Sequence, residues 1–140
     1  MCGRYSVVPS PGMSALLDEL EVSASIPEQY NIAPTESVPI IDEQDGQREC
    51  HLARWWLTPC WSSGPSTKYA MFNARSETIN TSRAYKGSFR HKRCVMPATS
   101  FIEWQKLDGG KRPIEIYRAD KPMLFAGLWD CWNEELISCS

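Results

Sequence analysis

The chain reads as an α+β domain that is mainly β. Apolar residues fall in short runs rich in Val, Ile, Trp, Phe and Tyr, bounded by Gly, Pro, Asp and Asn. One stretch, "SPGMSALLDEL", carries its apolar residues at helical spacing. The 140 residues are 42% hydrophobic with six tryptophans, which is enough to bury a core in one domain spanning 1–140.

In order, "CGRYSVV" reads as a short strand. In "SPGMSALLDEL", Ser10 can cap, Pro11 suits the first turn, and Met13, Leu16, Leu17 and Leu20 share a face. "YNIAPTE" reads as a loop around Pro34. "SVPIIDEQDGQRECHLARWWL" reads as a hairpin folded at Asp45-Gly46, a dipeptide suited to tight hairpin turns. "TPCWSSGPSTK" is loop-like, "YAMFNARSETI" starts extended, and "NTSRAYKGSFR" fits a short helix or turn. "RCVMPA", "SFIEWQKL", "RPIEIYR" and "PMLFAGLW" read as strands, with Asp108-Gly109-Gly110 turning the second into the third. "ELISCS" reads as a last strand. Since a domain rarely exposes half a strand edge, a C-terminally truncated domain is expected.

Residues 1–30 lack a basic start followed by an apolar run, and no stretch approaches the ~18 apolar residues of a membrane span. A cytoplasmic location, nucleoid-associated in a bacterium, is therefore expected. None of the six cysteines forms a C-x-x-C pair, so neither a metal nor another cofactor is expected. Most of the cysteines are expected to be small buried hydrophobes. The charge is uneven: between Cys50 and Ile102 lie eight basic residues and one acid, Glu77, which suggests a surface facing a polyanion.

Three constellations are suited to chemistry. Cys2 follows Met1 directly, and once Met1 is trimmed it carries an α-amine beside a thiol. An amine condenses with an aldehyde, and the neighbouring thiol then closes a five-membered thiazolidine. The same group also suits an N-terminal nucleophile acting on amides. Arg4, two residues on, is expected to lower the thiol pKa. In "FNARSET", an extended backbone would line Asn73, Arg75 and Glu77 along one wall, with Arg75 suited to a phosphate. In "SFIEWQ", a strand sets Glu103 with Phe101 and Gln105, opposite Ile102 and Trp104, where a carboxyl among aromatics suits acid–base work. "WWLTPCWSS" and the run Arg83–Arg93 add the mixture of aromatics and cations used to grip single-stranded nucleic acid. Trp55 or Trp56 is expected in the core.

Together these pieces resemble the SOS response-associated peptidase (SRAP) family of abasic site processing proteins. The matches are "MCGRY", "YNIAPT" at 30–35, "WWLTPCW" at 55–61, "FNARSET" at 72–78, "SRAYK" at 82–86, "RCVMPATSFIEW" at 93–104 and "IYRAD" at 116–120. The resemblance implies strongly bent antiparallel sheets forming a barrel-like core, with few helices. It implies binding to single-stranded DNA at an abasic site and self-processing that removes Met1. It also implies a thiazolidine crosslink from Cys2 to the ring-opened sugar, which shields the lesion. By motif match, Cys2, Asn73 and Glu103 would be catalytic. Arg4, Arg75 and Arg83 would hold phosphates, and Pro34, Trp61 and Trp104 would stack or wedge bases.

One departure stands out. The family's downstream histidine segment has no counterpart here, and neither His51 nor His91 matches it by motif. The chain thus resembles the N-terminal two thirds of the family domain. Self-processing and ring opening are the steps this puts in doubt. Two other readings stay open: a module that binds single strands without chemistry, and a glutamine amidotransferase of the N-terminal-cysteine type.

Overall fold

The elements run β1 (Tyr5–Val7), α1 (Pro11–Glu19), β2 (Gln29–Ile32), β3 (Ser37–Gln44), β4 (Gln47–Trp55), α2 (Lys86–His91), β5 (Arg93–Ala98), β6 (Ser100–Leu107), β7 (Gly110–Tyr117), β8 (Met123–Trp132) and β9 (Leu136–Cys139). The structure is a computed structural model and describes residues 2–140. Two sheets share the core: a four-stranded sheet in the order β2-β1-β6-β7, and a closed barrel in the order β3-β4-β9-β8-β5.

Strand β1 locks the two together. All three of its residues are buried. The Tyr5 ring sits edge-on to barrel residues Trp55, at 5.1 Å between centroids, and Phe125, at 5.6 Å. Phe101 on β6 meets the same Phe125 edge-on at 5.9 Å. Burying each such side chain contributes roughly 1.5–3 kcal/mol, with about 0.5–1.5 kcal/mol more for a well-set aromatic pair. The N-terminal segment is thereby fixed to the rim of the barrel.

Local chemistry explains several elements. Ser10 caps α1, its hydroxyl accepting the Met13 N–H at 3.1 Å, and Pro11 takes the first turn. Met13 and Leu17 bury the apolar face, and Leu16 and Leu20 pack beside them. The β3–β4 hairpin keeps unbroken register from Ser37↔Arg54 to Gln44↔Gln47. Its turn has positive φ at both Asp45 (51°) and Gly46 (76°), the left-handed pair a two-residue hairpin needs. Trp55 is buried, as expected, while Trp56 lies at the edge of the core.

Three expectations are corrected. Residues 29–32 form a strand rather than a loop, because Ile32 pairs with Tyr5 and Gln29 with Val7. The register slips between those pairs. Asn31 takes φ 51° there, and its N–H goes to the Ser6 hydroxyl, so the sequence carries turn-forming character inside a strand. Residues 72–78 do not run extended: a short irregular stretch at 72–75 passes into turns held by Thr78 N–H to Arg75 O and Ser82 N–H to Thr78 O. Among the described residues β4 is not open to pair with this segment, because β3 and β9 occupy both of its edges. Finally, β9 is not a half-exposed edge. It pairs antiparallel with β8 and parallel with β4, which closes the barrel.

The cysteines divide. All six are free thiols; Cys94 and Cys139 are buried, Cys2, Cys50 and Cys131 are half-buried, and Cys60 is exposed. Among the described residues no helix is long and apolar enough to cross a membrane.

Candidate functional site

Residues 2–4 run beside β6. The ladder pairs Tyr5 with Phe101 and Ser6 with Ser100, and the Ile102 N–H donates to the Arg4 carbonyl at 2.8 Å. The Cys2 thiol donates to that same carbonyl at 3.1 Å. From the 72–75 stretch, the Asn73 amide Nδ2 donates to the Cys2 carbonyl at 2.5 Å. That stretch is itself anchored. Leu57 N–H bonds Met71 O at 3.0 Å, and the Trp55 indole N–H bonds Phe72 O at 2.9 Å. The Phe72 ring packs against both Trp55 and Trp56. Glu103, on β6, lies close enough for its carboxylate to act on the Cys2 thiol. Cys2, Asn73 and Glu103, distant in sequence, therefore share one locality.

The Cys2 thiol is held above its ordinary range. Burial is the main cause and the Glu103 carboxylate adds to it, while backbone hydrogen bonding at Arg4 and Ile102 opposes it. The expected lowering by the Arg4 cation does not occur. Arg4 turns to Asn31 instead, its Nη1 donating to Oδ1 at 3.3 Å.

The remaining residues spread outward. Pro34 is half-buried in the turn after β2, where Thr35 N–H bonds Trp55 O and Trp55 N–H bonds Glu36 O, both at 2.9 Å. Trp104 is 52% exposed on β6, on the face opposite Glu103. Arg75 and Glu77 are exposed in the turns, so the single wall expected of Asn73, Arg75 and Glu77 is not built; only Asn73 reaches the Cys2 locality. Trp61 and Arg83 meet, the guanidinium lying 4.4 Å from the indole centroid. They line a cavity of ≈ 220 Å³ together with Cys60, Gly87, His91 and Lys92. His51 lies elsewhere, its Nε2 3.1 Å from Asp42 on the β3–β4 hairpin.

Not every cation in the basic segment is available to a ligand. Lys92 is paired with Asp130, and Arg93 donates to the Phe89 carbonyl and stacks on its ring. Lys68, Arg75, Arg83, Lys86 and Arg90 remain on the surface. Sequence reasoning missed Asn31 and Asp130. The only local signal for Asn31 was its tolerance of left-handed backbone, and Asp130 had none, since its partners Cys60 and Lys92 lie far away along the chain.

This is a small barrel-and-sheet protein with a cysteine directly after Met1, gripped by an asparagine and overlooked by a glutamate. The chain belongs to the SOS response associated peptidase (SRAP) family, whose profile matches residues 1–140. It is 31% identical over 140 residues to the abasic site processing protein YoaM of Bacillus subtilis, covering 95% of this chain and 61% of that protein. It is 33% identical over 135 residues to the abasic site processing protein YedK of Escherichia coli, covering 91% of this chain and 59% of that one. The chain thus spans about three fifths of these curated relatives' length. Among solved structures, a protein from Bacteroides thetaiotaomicron superposes with TM-score 0.81 at 24% identity, over 99% of this chain and 66% of its own. A phage-related protein from Bordetella bronchiseptica does so with TM-score 0.78 at 26% identity, over 99% and 67%.

Proposed function

We propose that this protein processes abasic sites in single-stranded DNA by forming a covalent thiazolidine crosslink through Cys2 once Met1 is removed. The observation that carries the reading is the convergence of Cys2, Asn73 and Glu103 at the barrel rim, in a chain of the SRAP family. The names of its relatives, abasic site processing proteins, support it.

The chemistry balances without a cofactor. Met1 removal hydrolyses one peptide bond and frees the Cys2 α-amine. That amine attacks the aldehyde of the ring-opened sugar and expels water, leaving an imine. The Cys2 sulfur then adds to the imine carbon as the thiol proton passes to nitrogen, closing the ring. Asn73 holds the Cys2 carbonyl and so aims both nucleophiles. Glu103 relays protons in Met1 removal and sugar ring opening. Arg4, Arg75 and Arg83 hold phosphates. Pro34, Trp61 and Trp104 contact bases, the two exposed indoles by stacking. The product shields the lesion from strand cleavage and places the protein in the DNA damage response.

The test is direct. Met1-free protein incubated with an oligonucleotide bearing one abasic site gives a heat-stable band of the summed mass less one water, and Cys2→Ala abolishes it. Equal adduct yield from Cys2→Ala would sink the mechanism. Salt-dependent binding with no adduct would leave a gripping module without the chemistry.

A further inference from the structure

Trp61 and Arg83 come from separate segments, yet their side chains stack. A loop residue and a turn residue, both exposed, hold one geometry more closely when something beneath fixes both backbones. Asp130 of β8 is placed to do so. Its carboxylate is buried, with 7% of the side chain exposed. One oxygen, Oδ2, accepts the N–H of Cys60, the residue before Trp61, at 2.8 Å. The other, Oδ1, accepts from Lys92 Nζ at 2.5 Å and from the Cys131 N–H at 2.9 Å.

Lys92 caps the C-terminal end of α2, its own N–H bonded to Ser88 O. The other end of α2 continues from the turn that carries Arg83, through Lys86 N–H to Ser82 O. One carboxylate therefore ties the Trp61 loop with one oxygen and α2, which follows the Arg83 turn, with the other. Further bonds fasten the loop to the same side of the barrel: Thr58 N–H to Ser138 Oγ at 2.8 Å and the Trp132 indole N–H to Ser62 O at 3.0 Å. Only Asp130 reaches both the Trp61 loop and α2 among these anchors.

We infer that Asp130 is a positioning residue that assembles the Trp61–Arg83 platform on which a strand's base and phosphate are received. The inference rests on the single-strand reading above for the ligand, and on the geometry alone for the positioning. Asp130 touches no DNA in this scheme and acts through Trp61 and Arg83.

Amide hydrogen exchange on the free protein tests the positioning. Asp130→Ala raises exchange at residues 58–64 and 82–92 together while the β3–β4 hairpin keeps its protection. Affinity for an undamaged oligothymidylate falls by about tenfold, the scale of losing one stacked base. In a Trp61→Ala background the same substitution costs less than about twofold, because the two residues act as one unit. Unchanged exchange in both segments overturns the proposal, as does an undiminished loss in the Trp61→Ala background.

Should Asp130→Ala fail to fold, Lys92→Met cuts one arm only. It then raises exchange at 82–92 but not at 58–60, and its affinity loss disappears in an Arg83→Ala background; any other pattern overturns the inference. A wild-type protein with no affinity for single strands would sink the proposed function, whereas exchange still decides whether Asp130 holds the two segments.

Discussion

Asn73→Ala isolates the grip on Cys2. The side chain donates from Nδ2 to the Cys2 carbonyl at 2.5 Å. The backbone around it is pinned independently, by Leu57 N–H to Met71 O and by the Trp55 indole to Phe72 O. Truncation therefore loosens Cys2 without releasing the loop. Losing one hydrogen bond of this kind costs about 0.5–1.5 kcal/mol, which lowers the melting temperature of a domain this size by about 2–5 °C. The effect on chemistry is larger, because a displacement of ~1 Å at a reacting group costs about 10²-fold in rate. The assay is single-turnover crosslinking to an abasic oligonucleotide, run beside equilibrium binding of the undamaged strand. Crosslinking slows by about two orders of magnitude while binding stays within about twofold. A variant that crosslinks within twofold of wild type, with binding unchanged, refutes the view that this bond aims the nucleophiles.

Other predictions follow from the same geometry. Burial and the Glu103 carboxylate hold the Cys2 thiol above its ordinary 9.0, so alkylation of that thiol keeps accelerating as pH rises through that value. Glu103→Gln moves the onset of Cys2 alkylation to lower pH yet lowers the maximal crosslinking rate; an unmoved alkylation profile would show that the carboxylate does not act on the thiol. Gly127→Ala puts a Cβ 2.9 Å from Cys94 Sγ and 3.4 Å from Met96 Cγ, and overpacking of this kind destabilises by about 1–3 kcal/mol in urea melts. The Cys94→Ala background relieves that cost, because the clashing sulfur is gone. Burial pushes the Cys94 thiol up to about 12 from 9.0, so folding favours its protonated form. The stability it contributes is whole below 9.0 and is lost as pH climbs towards 12. Denaturant midpoints across the alkaline range show the decline, and Cys94→Ala flattens it.

Much of the site was legible because certain side chains have few bland uses in their positions. A cysteine directly behind Met1, and a glutamate between Ile102 and Trp104 on a strand, could be singled out from neighbours alone. Their meeting with Asn73 could not, since that depends on β1 docking beside β6 and on the 72–75 stretch hanging from Trp55. The raised Cys2 thiol was missed for a related reason. From sequence, Arg4 is the nearest charge; in the fold it faces Asn31, and burial together with a carboxylate on another strand decides the direction.

The sequence by itself determined the parts set by a few adjacent residues. It fixed the capped start of α1 at Ser10-Pro11, the hairpin at Asp45-Gly46, and the opposite faces of Glu103 and Trp104 on β6. These follow from backbone dihedrals and from the alternation of side chains along a strand, which need no distant partner. Only the tertiary structure decided that residues 29–32 form a strand, that 72–78 do not, and that Asp130 joins two segments beneath Trp61 and Arg83. Each of those depends on which backbone or side-chain partner the closed barrel brings near, and partners so far along the chain leave no mark in a local run of residues.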